Sequence, residues 1–421
     1  MLINDKHIVR VYEAELILLA FAIPIYRKVV PYIIAVIVLT WLLEADFSTK
    51  AMRIANCRHR RNTLFFSVIY LLYGLGLLYT NNIGNGFFDM EVKMSLFIFP
   101  VLMATIREEV LSKTIARKVL WSFVFGVLAS ILISYGQAIY QYYQKETLAV
   151  FYYSSLSPLI HPSYLAMYVC FAIAIVLYFM SRGFVVGRIR QTLSVLLIIF
   201  FQLFVIMLSS KAGILGLAIT IALFSGYLFF GERRLGKGLL VSGMLIGSFV
   251  FLFMVFPVSA ERFDETRVAL EQADINSEEM ANSSGERIMI WWYSFEITND
   301  NFLAGVGTGD VKDNLMDKYR EKQMLSALGL ELNAHNQYLQ TSLALGILGL
   351  IVLMLNLVLP AIYGIEQRHY LYVIFLILIA FNFLVESMLE TQAGVVFYAF
   401  FNAYLFSLKK DPASLEAGSH K

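Results

Sequence analysis

The chain of 421 residues is 59% hydrophobic and only 15% charged, with a net charge of +2 at pH 7. A soluble protein carries about 25% charged residues, and many runs here approach the roughly 20 apolar residues that cross a bilayer. The composition excludes an ordinary soluble domain and predicts an all-α polytopic membrane protein. The two cysteines, Cys57 and Cys170, offer neither a disulfide framework nor a metal-ligand spacing.

Apolar runs predict about twelve transmembrane helices. They lie at about 12–26, 29–44, 63–80, 92–106, 119–141, 164–181, 192–208, 214–230, 239–257, 338–363, 371–389 and 394–408. No small-residue cleavage site follows the first run, which favours an uncleaved span over a signal peptide. We therefore expect helices 1–9 over 1–257, a large helical loop over 258–337, helices 10–12 over 338–408 and a tail over 409–421.

The distribution of Lys and Arg predicts the orientation of the chain. If both termini are cytoplasmic, most basic residues fall in cytoplasmic segments, namely KAMRIANCRHRR, REEVLSKTIARK, RGFVVGRIR, GERRLGKG, EQRHY and the two tails. The loop at 258–337 is then extracytoplasmic. Three of its segments have helical character: ERFDETRVALEQAD, SSGERIMIWWYSFEITND with a cap near Ser283 or Ser284, and DVKDNLMDKYREKQ with Asp310 as its N-cap.

Two polar clusters lie at the outer ends of apolar spans before the loop. In HPSYLAMY, His161 stands at the start of span six, where Pro162 fixes the backbone. In MLSSKAGILG, Ser210 and Lys211 lie between spans seven and eight with almost no loop around them. Lys211 is either an interfacial lysine whose ammonium reaches water or a cation that faces a ligand.

Arg287 lies in the first turn of a predicted helix, in SSGERIMIWW. A cation is unfavourable there against the helix dipole, whereas the exposed backbone N–H groups favour an anion. Arg287 could therefore complete an anion site. The alternative is a salt bridge to Glu286 or a solvated face.

His335 lies in NAHNQYLQ, where the chain re-enters the bilayer. A lone histidine is more often structural than catalytic, but this one is on the same side as Arg287 and Lys211. Histidine ordinarily titrates near neutral pH, which suits a base that takes a proton from a hydroxyl. Asn333 or Asn336 could orient the ring or hold a sugar.

Two carboxylates, Glu386 and Glu390, lie at the outer end of span eleven in ESMLETQAGVVFY. A carboxylate that faces lipid is costly, so we expect each to face a cavity or pair with a cation. Glu390 is either part of a substrate site or a structural partner of Lys211 or Arg287.

Several common catalytic patterns are absent from the sequence. It contains no Walker lysine loop, HExxH, cysteine cluster or GxSxG elbow, and FDE at 263–265 is too weak for a metal site. GVGTGD superficially resembles a phosphate loop but does not follow a predicted strand. We therefore expect no metal, no cofactor and no nucleic-acid partner.

Three segments in order, SSKAGILG, GERIMIWWYSFEITNDNFLAGVGTGD and NAHNQYLQTSLALGILGL, resemble the O-antigen ligase superfamily. The likeness is densest over about 200–355, and HPSYLAMY and ESMLETQAGVVFY extend it. A large loop before the last three of twelve spans belongs to the same pattern. The superfamily includes ligases, O-antigen polymerases and enzymes that attach glycans to proteins.

The resemblance implies a GT-C-type glycosyltransferase of the bacterial inner membrane. Its donor would be an undecaprenyl-diphosphate-linked glycan on the periplasmic face, used without a metal ion or a nucleotide sugar. A ligase passes that glycan to a sugar hydroxyl of lipid A-core, which completes lipopolysaccharide. By position, Arg287 and His335 match the family's essential arginine and histidine. Lys211 stands where many members have arginine, and it keeps the charge without the bidentate fork.

The chemistry of the residues agrees with this family. A diphosphate leaving group needs cations, for which Arg287 and Lys211, joined by His161, are the candidates. The predicted catalytic residues are His335 and Arg287, and the predicted substrate-binding residues are Lys211, His161, Ser210, Asn336, Asn333 and Glu390. NAHNQYLQ favours a ligase over a polymerase, and a protein acceptor stays open. A transporter would show inverted repeats and midplane charges, and the sequence shows neither.

Overall fold

A computed structural model describes residues 5–231, 235–256 and 283–408, and these ranges are helical without a β-strand. The helices before residue 257 are α1 (Asp5–Ala22), α2 (Val30–Leu43), α3 (Phe47–Asn56), α4 (Arg58–Thr63), α5 (Val68–Gly76), α6 (Ile83–Lys93), α7 (Ser95–Thr105), α8 (Lys113–Lys145), α9 (Tyr153–Leu156), α10 (Pro162–Ser181), α11 (Arg188–Met207), α12 (Lys211–Gly226) and α13 (Leu235–Val255). Those after residue 282 are α14 (Ser283–Asp300), α15 (Val311–Glu321), α16 (Leu325–Gly329), α17 (Gln337–Glu366), α18 (Tyr370–Val385) and α19 (Gln392–Ser407).

Seven helices of the described chain are long and apolar enough to cross a membrane, and the bent pair α2–α3 would make an eighth. The seven are Arg58–Tyr79, Lys113–Lys145, Pro162–Ser181, Arg188–Met207, Lys211–Phe230, Gly238–Val255 and Gln337–Glu366. A helix lies at each of the twelve expected positions, but some are short, as in the 11 residues of α7. The helices support a polytopic membrane protein with seven or eight spans by this measure, against the twelve expected.

Helix α10 forms the centre of the bundle. It packs against α8, α11, α12 and α18, and almost its whole length is buried. Phe171 in its middle contacts the rings of Phe123, Phe375 and Phe401 from three other helices. This aromatic packing fixes the position of α10 and therefore of the residues at its N-terminus, where His161 lies.

Helix α17 is interrupted at Gly346, whose φ of 61° and ψ of −155° are not helical. The carbonyl of Leu343 accepts a hydrogen bond from the backbone N–H of Val306 at 2.8 Å. The backbone N–H of Ile347 donates to the carbonyl of Phe302 at 2.8 Å. The glycine-rich turn after α14 thus satisfies backbone groups that the interruption leaves without helical partners.

The end of the same turn docks on the segment between α5 and α6 through Asp310. Its carboxylate accepts hydrogen bonds from the backbone N–H groups of Asn81 and Asn82, both at 2.7 Å. Burial raises the pKa of the Asp310 carboxyl, but these two N–H groups outweigh burial and hold that pKa below its ordinary value. Asp310 does occupy the N-cap position of α15, but its side chain does not cap that helix. The predicted N-cap residue is therefore confirmed, but its carboxylate binds Asn81 and Asn82 instead of the first turn of the helix.

The described residues from 283 to 337 contain three helices, while the assignment of 258–337 to one extracytoplasmic loop stays a prediction. Helix α14 begins at Ser283, and α14, α15 and α16 follow one another before the chain reaches His335. The predicted helix in ERFDETRVALEQAD and the tail at 409–421 lie outside the described residues.

Candidate functional site

His335 lies in a tight turn that leads into α17. Its φ of 45° is in the left-handed region, which non-glycine residues rarely adopt. The side-chain oxygen of Asn333 accepts a hydrogen bond from the His335 backbone N–H at 3.0 Å. Asn336 caps α17, because its side-chain oxygen accepts from the N–H of Tyr338 at 2.9 Å. Both asparagines hold the backbone that presents His335, while their predicted contacts with ring or sugar stay predictions.

The loop between α18 and α19 is fastened to the start of α17. The Asn336 backbone N–H donates to the Ser387 hydroxyl at 3.2 Å, and the Leu389 N–H donates to the Gln337 side-chain oxygen at 2.6 Å. Gln337 is fully buried, so this contact is shielded from water. These bonds set the position of the residue that precedes Ser387, which is Glu386.

Glu386 contacts both residues that the sequence predicts to be catalytic. Its Oε2 lies 3.6 Å from Nδ1 of His335, slightly longer than a hydrogen bond, and its Oε1 lies 3.5 Å from Nη2 of Arg287. Arg287 also donates through Nη1 to the carbonyl of Val385 at 3.3 Å. The Glu386 side chain is 7% exposed, against 21% for His335 and 34% for Arg287. A buried carboxylate thus supports an imidazole and a guanidinium that solvent can reach.

The surroundings of Glu386 favour the charged form of its carboxylate. Glu386 follows the end of the apolar helix α18, and burial alone would raise the pKa of its carboxyl. The contact with His335 and the charge of Arg287 outweigh burial and hold that pKa below its ordinary value. A carboxylate facing Nδ1 favours the tautomer with the proton on Nδ1, which leaves Nε2 of His335 as the basic nitrogen.

His161 belongs to the same electrostatic group. It caps α10, where its Nδ1 accepts a hydrogen bond from the Ser163 backbone N–H at 3.4 Å. Burial is the largest influence on the pKa of His161 and lowers it. The charge of Glu386 opposes this effect, whereas Arg287 and His335 add to it, so the pKa lies below its ordinary value. An imidazole that accepts at Nδ1 is neutral and carries its proton on Nε2. In that state the ring offers a neutral N–H donor instead of a positive charge, and the contact of His161 with a substrate stays a prediction.

Ser210 and Lys211 lie at the start of α12, beside the start of α10. The Ser210 hydroxyl caps α12 by accepting from the Gly213 N–H at 3.3 Å, and it lies 3.4 Å from the hydroxyl of Ser163. A Cβ at Gly213 would come within 2.4 Å of the Ala166 side chain, so glycine permits this close approach. The structure therefore brings Lys211, the first residue of α12, to the end of the bundle that holds His161.

Glu390 has a different partner from the two proposed. Its Oε2 lies 2.7 Å from Nζ of Lys93, which also lies 3.1 Å from Oδ2 of Asp89. Lys93 is fully buried, and its ammonium lies 4.9 Å from the centre of the Tyr73 ring. The pairing of Glu390 with Lys211 or Arg287 is therefore wrong.

Two residues of this region have contacts that the sequence does not predict specifically. Glu386 is expected only to face a cavity or pair with a cation, and its partner is Arg287. Lys93 stands in an ordinary amphipathic segment, and no local signal distinguishes it. In the described ranges, no group of three or more His, Cys, Asp or Glu residues is placed to hold a metal ion.

The structure defines a class of protein: a helical membrane protein with a histidine, an arginine and a buried carboxylate at one end of the bundle. Residues 193–354 match the family described as O-antigen ligase. This match agrees with the resemblance of the three sequence segments to the O-antigen ligase superfamily. The match spans less than half of the 421 residues, and it includes Lys211, Arg287 and His335 but ends before Glu386. No curated protein matches the chain.

Proposed function

We propose that the protein is an O-antigen ligase. It transfers a glycan from undecaprenyl diphosphate to a sugar hydroxyl of lipid A-core, and this completes lipopolysaccharide. The observation that carries the proposal is the contact of one buried carboxylate, Glu386, with both His335 and Arg287. A base and an anion-binding group at one point are what hydroxyl attack on a glycosyl diphosphate requires.

In this mechanism His335 acts on the acceptor. Its Nε2 takes the proton of the sugar hydroxyl while the oxygen attacks the anomeric carbon of the donor. The bond between that carbon and the diphosphate oxygen breaks, and its electron pair leaves on the diphosphate. A positioned base typically contributes about 10²–10⁴-fold to such a step. Glu386 keeps the basic nitrogen pointed away from the protein.

The leaving group is stabilised by the cations of the site. Arg287 has N–H groups beyond the two that contact Glu386 and Val385, and Lys211 adds a second charge at the same end of the bundle. His161 adds a neutral N–H donor. Ser210, Asn333, Asn336 and Glu390 complete the proposed lining, although their visible contacts hold the protein backbone or Lys93.

The proposed orientation follows from the charged segments of the sequence. Both termini lie in the cytoplasm, and the chain crosses the inner membrane twelve times. The site and the loop at 258–337 face the periplasm. Donor and acceptor are both anchored in lipid, which suits a site where helices end. The reaction needs no metal ion and no nucleotide sugar, and nucleic acid has no part in it.

A paired glycan profile tests this proposal. A deletion strain is complemented with wild type, His335→Ala or His7→Ala, an exposed histidine of α1 that serves as the control. If the protein is a ligase, the strain with His335→Ala has bare lipid A-core and long chains on the undecaprenyl carrier. The strain with His7→Ala then has restored lipopolysaccharide. Immunoblots confirm equal amounts of protein in the membrane.

Other outcomes, of this profile or of companion assays for protein-linked glycan and for translocation into liposomes, identify other functions. Core that carries single repeat units identifies a polymerase. Unchanged lipopolysaccharide with loss of glycan from proteins identifies a protein O-oligosaccharyltransferase. Full activity of His335→Ala excludes the catalytic role, and translocation without transfer identifies a transporter.

A further inference from the structure

A second polar feature lies at the N-terminal end of α8. An open groove of about 520 Å³ is lined by Thr114, Arg117, Lys118, Trp121, Phe125 and Phe184. Helix α10 begins at the His335 site and ends at Ser181, and its 20 residues span about 30 Å. Phe184 follows that end, so the groove, which we call the basic–aromatic groove, lies about one bilayer thickness from the His335 site.

Side chains in the basic–aromatic groove change character along one helix face. Arg117, Trp121 and Phe125 are spaced four residues apart, which places them in a row over about 12 Å. The rings of Trp121 and Phe125 stack at 5.7 Å, and Phe125 is 53% exposed. Along the row, a cation is followed by an indole and then by a hydrocarbon ring. The polarity of a membrane leaflet decreases in the same order, from the headgroups through the interface to the acyl chains.

Within the described part of the chain, three of the four polar side chains of the groove are hydrogen-bond donors without a protein acceptor. The Arg117 guanidinium lies 5.0 Å from the centre of the Phe184 ring and forms no salt bridge within the described ranges. In the same ranges the Trp121 indole N–H and the Thr114 hydroxyl donate to no protein group. Lys118 pairs with Glu13, so Arg117 is the main source of positive charge.

We propose that the basic–aromatic groove binds an anionic phospholipid in the leaflet opposite the His335 site. Arg117 and Thr114 contact the phosphodiester oxygens, and the Trp121 N–H donates to an ester carbonyl. Phe125 and Phe184 contact the acyl chain. The guanidinium matches a phosphate in charge and geometry, and the aromatic wall selects a lipid over a free anion. This site is independent of the proposed transfer reaction.

Native mass spectrometry of the purified full chain tests the site. The probes are phosphatidylglycerol and phosphatidylcholine, which share a phosphodiester and acyl chains but differ in net charge. Wild type should prefer phosphatidylglycerol, and Arg117→Gln should weaken its binding by about tenfold through loss of a charge-assisted contact. Arg190→Gln, which removes an exposed charge at the start of α11 outside the groove, should leave binding unchanged.

Further variants distinguish the lipid from other occupants. Trp121→Phe should weaken the binding of both lipids, because both carry the ester carbonyl. Thermal unfolding establishes that each variant is folded. Equal binding of the two lipids by wild type, or undiminished binding by folded Arg117→Gln, overturns the proposal. Displacement of phosphatidylglycerol by inorganic phosphate at equal concentration also overturns it, because the groove would then recognise the anion alone.

Discussion

Glu386 and His335, 51 residues apart in sequence, approach to 3.6 Å, with the carboxylate buried beneath a partly exposed imidazole. The hydrogen bond between the Asn336 N–H and the Ser387 hydroxyl joins the residues next to each of them at 3.2 Å. A histidine held by a carboxylate at one nitrogen presents the other nitrogen in a defined direction. Glu386 is therefore a positioning residue, and its effect on the reaction passes through His335 and Arg287.

Glu386→Gln should lower the rate of glycan transfer by about 10²-fold, because a misplaced base loses its alignment with the acceptor. Transfer by purified protein, measured at equal enzyme concentrations for wild type and variant, checks this effect.

Glu331→Gln is the matched control for Glu386→Gln. Glu331 is an exposed carboxylate four residues before His335, and it pairs with Lys312 at 2.6 Å. Its loss should leave the rate of transfer unchanged. If Glu386→Gln has the wild-type rate, the carboxylate does not position His335.

The sequence draws attention to Arg287 and His335 but does not predict the contacts that they make. Arg287 and His335 stand out because each is polar where the chain meets an apolar segment. Glu386 and Glu390 are alike in type and four residues apart, and only packing decides that the first meets Arg287 and the second meets Lys93. That packing depends on contacts between distant segments, which hydropathy does not contain.

The sequence does not predict the interruption of α17, for a related reason. Gly346 in LALGILGL looks like an ordinary glycine within an apolar helix, and hydropathy predicts one continuous span. The interruption becomes stable only because a turn about 40 residues earlier supplies hydrogen-bond partners such as Val306. Positions of apolar helices can be predicted from composition, whereas their interruptions cannot.

Substitutions at Lys211 test whether its charge acts on the leaving group. Lys211→Arg should keep most of the transfer rate, because the positive charge is retained. Lys211→Ala should lower the rate by about 10²–10³-fold, the typical cost of one lost contact to a developing negative charge. Transfer measured at equal protein amounts in the membrane gives the comparison. Equal rates for Lys211→Ala and wild type would assign Lys211 to the membrane interface alone.

His161→Gln tests whether that residue acts as a neutral donor. The lowered pKa of His161 means that it is uncharged at and above neutral pH, so a neutral amide N–H can replace its Nε2–H. We expect His161→Gln to retain most of the transfer rate at pH 7 and His161→Ala to lose more. Equal and complete loss in both variants would show that the imidazole itself, or its charge, is required.

Lys93→Met tests the buried pair of Lys93 with Glu390. Removal of the lysine leaves a carboxylate without its partner in the protein interior, which typically costs about 3–5 kcal/mol of stability. Thermal unfolding in detergent should show a clear loss, and the double variant Lys93→Met/Glu390→Gln should recover part of it. Lys312→Met removes a lysine from an exposed pair and should have little effect. A Lys93→Met protein as stable as wild type would show that the pair contributes no net stability.

Gly346→Ala tests the interruption of α17. The φ of 61° with a ψ of −155° is accessible to glycine almost alone, and such a conformation costs other residues about 1–3 kcal/mol. A Cβ at this position would also lie 2.5 Å from the carbonyl carbon and oxygen of Leu303. The turn would have to move, and the bonds from Val306 to Leu343 and from Ile347 to Phe302 would weaken. We therefore expect a lower melting temperature in detergent.

The control for Gly346→Ala is Gly136→Ala in the interior of α8. No atom lies within 4 Å of a Cβ built at Gly136. Alanine there should be neutral or stabilise the helix by about 0.5–1 kcal/mol.

The turn that Gly346 supports connects α14, which carries Arg287, to the rest of the loop, so Gly346→Ala should also lower the transfer rate. Unchanged stability and rate in Gly346→Ala would mean that α17 closes into a continuous helix at no cost.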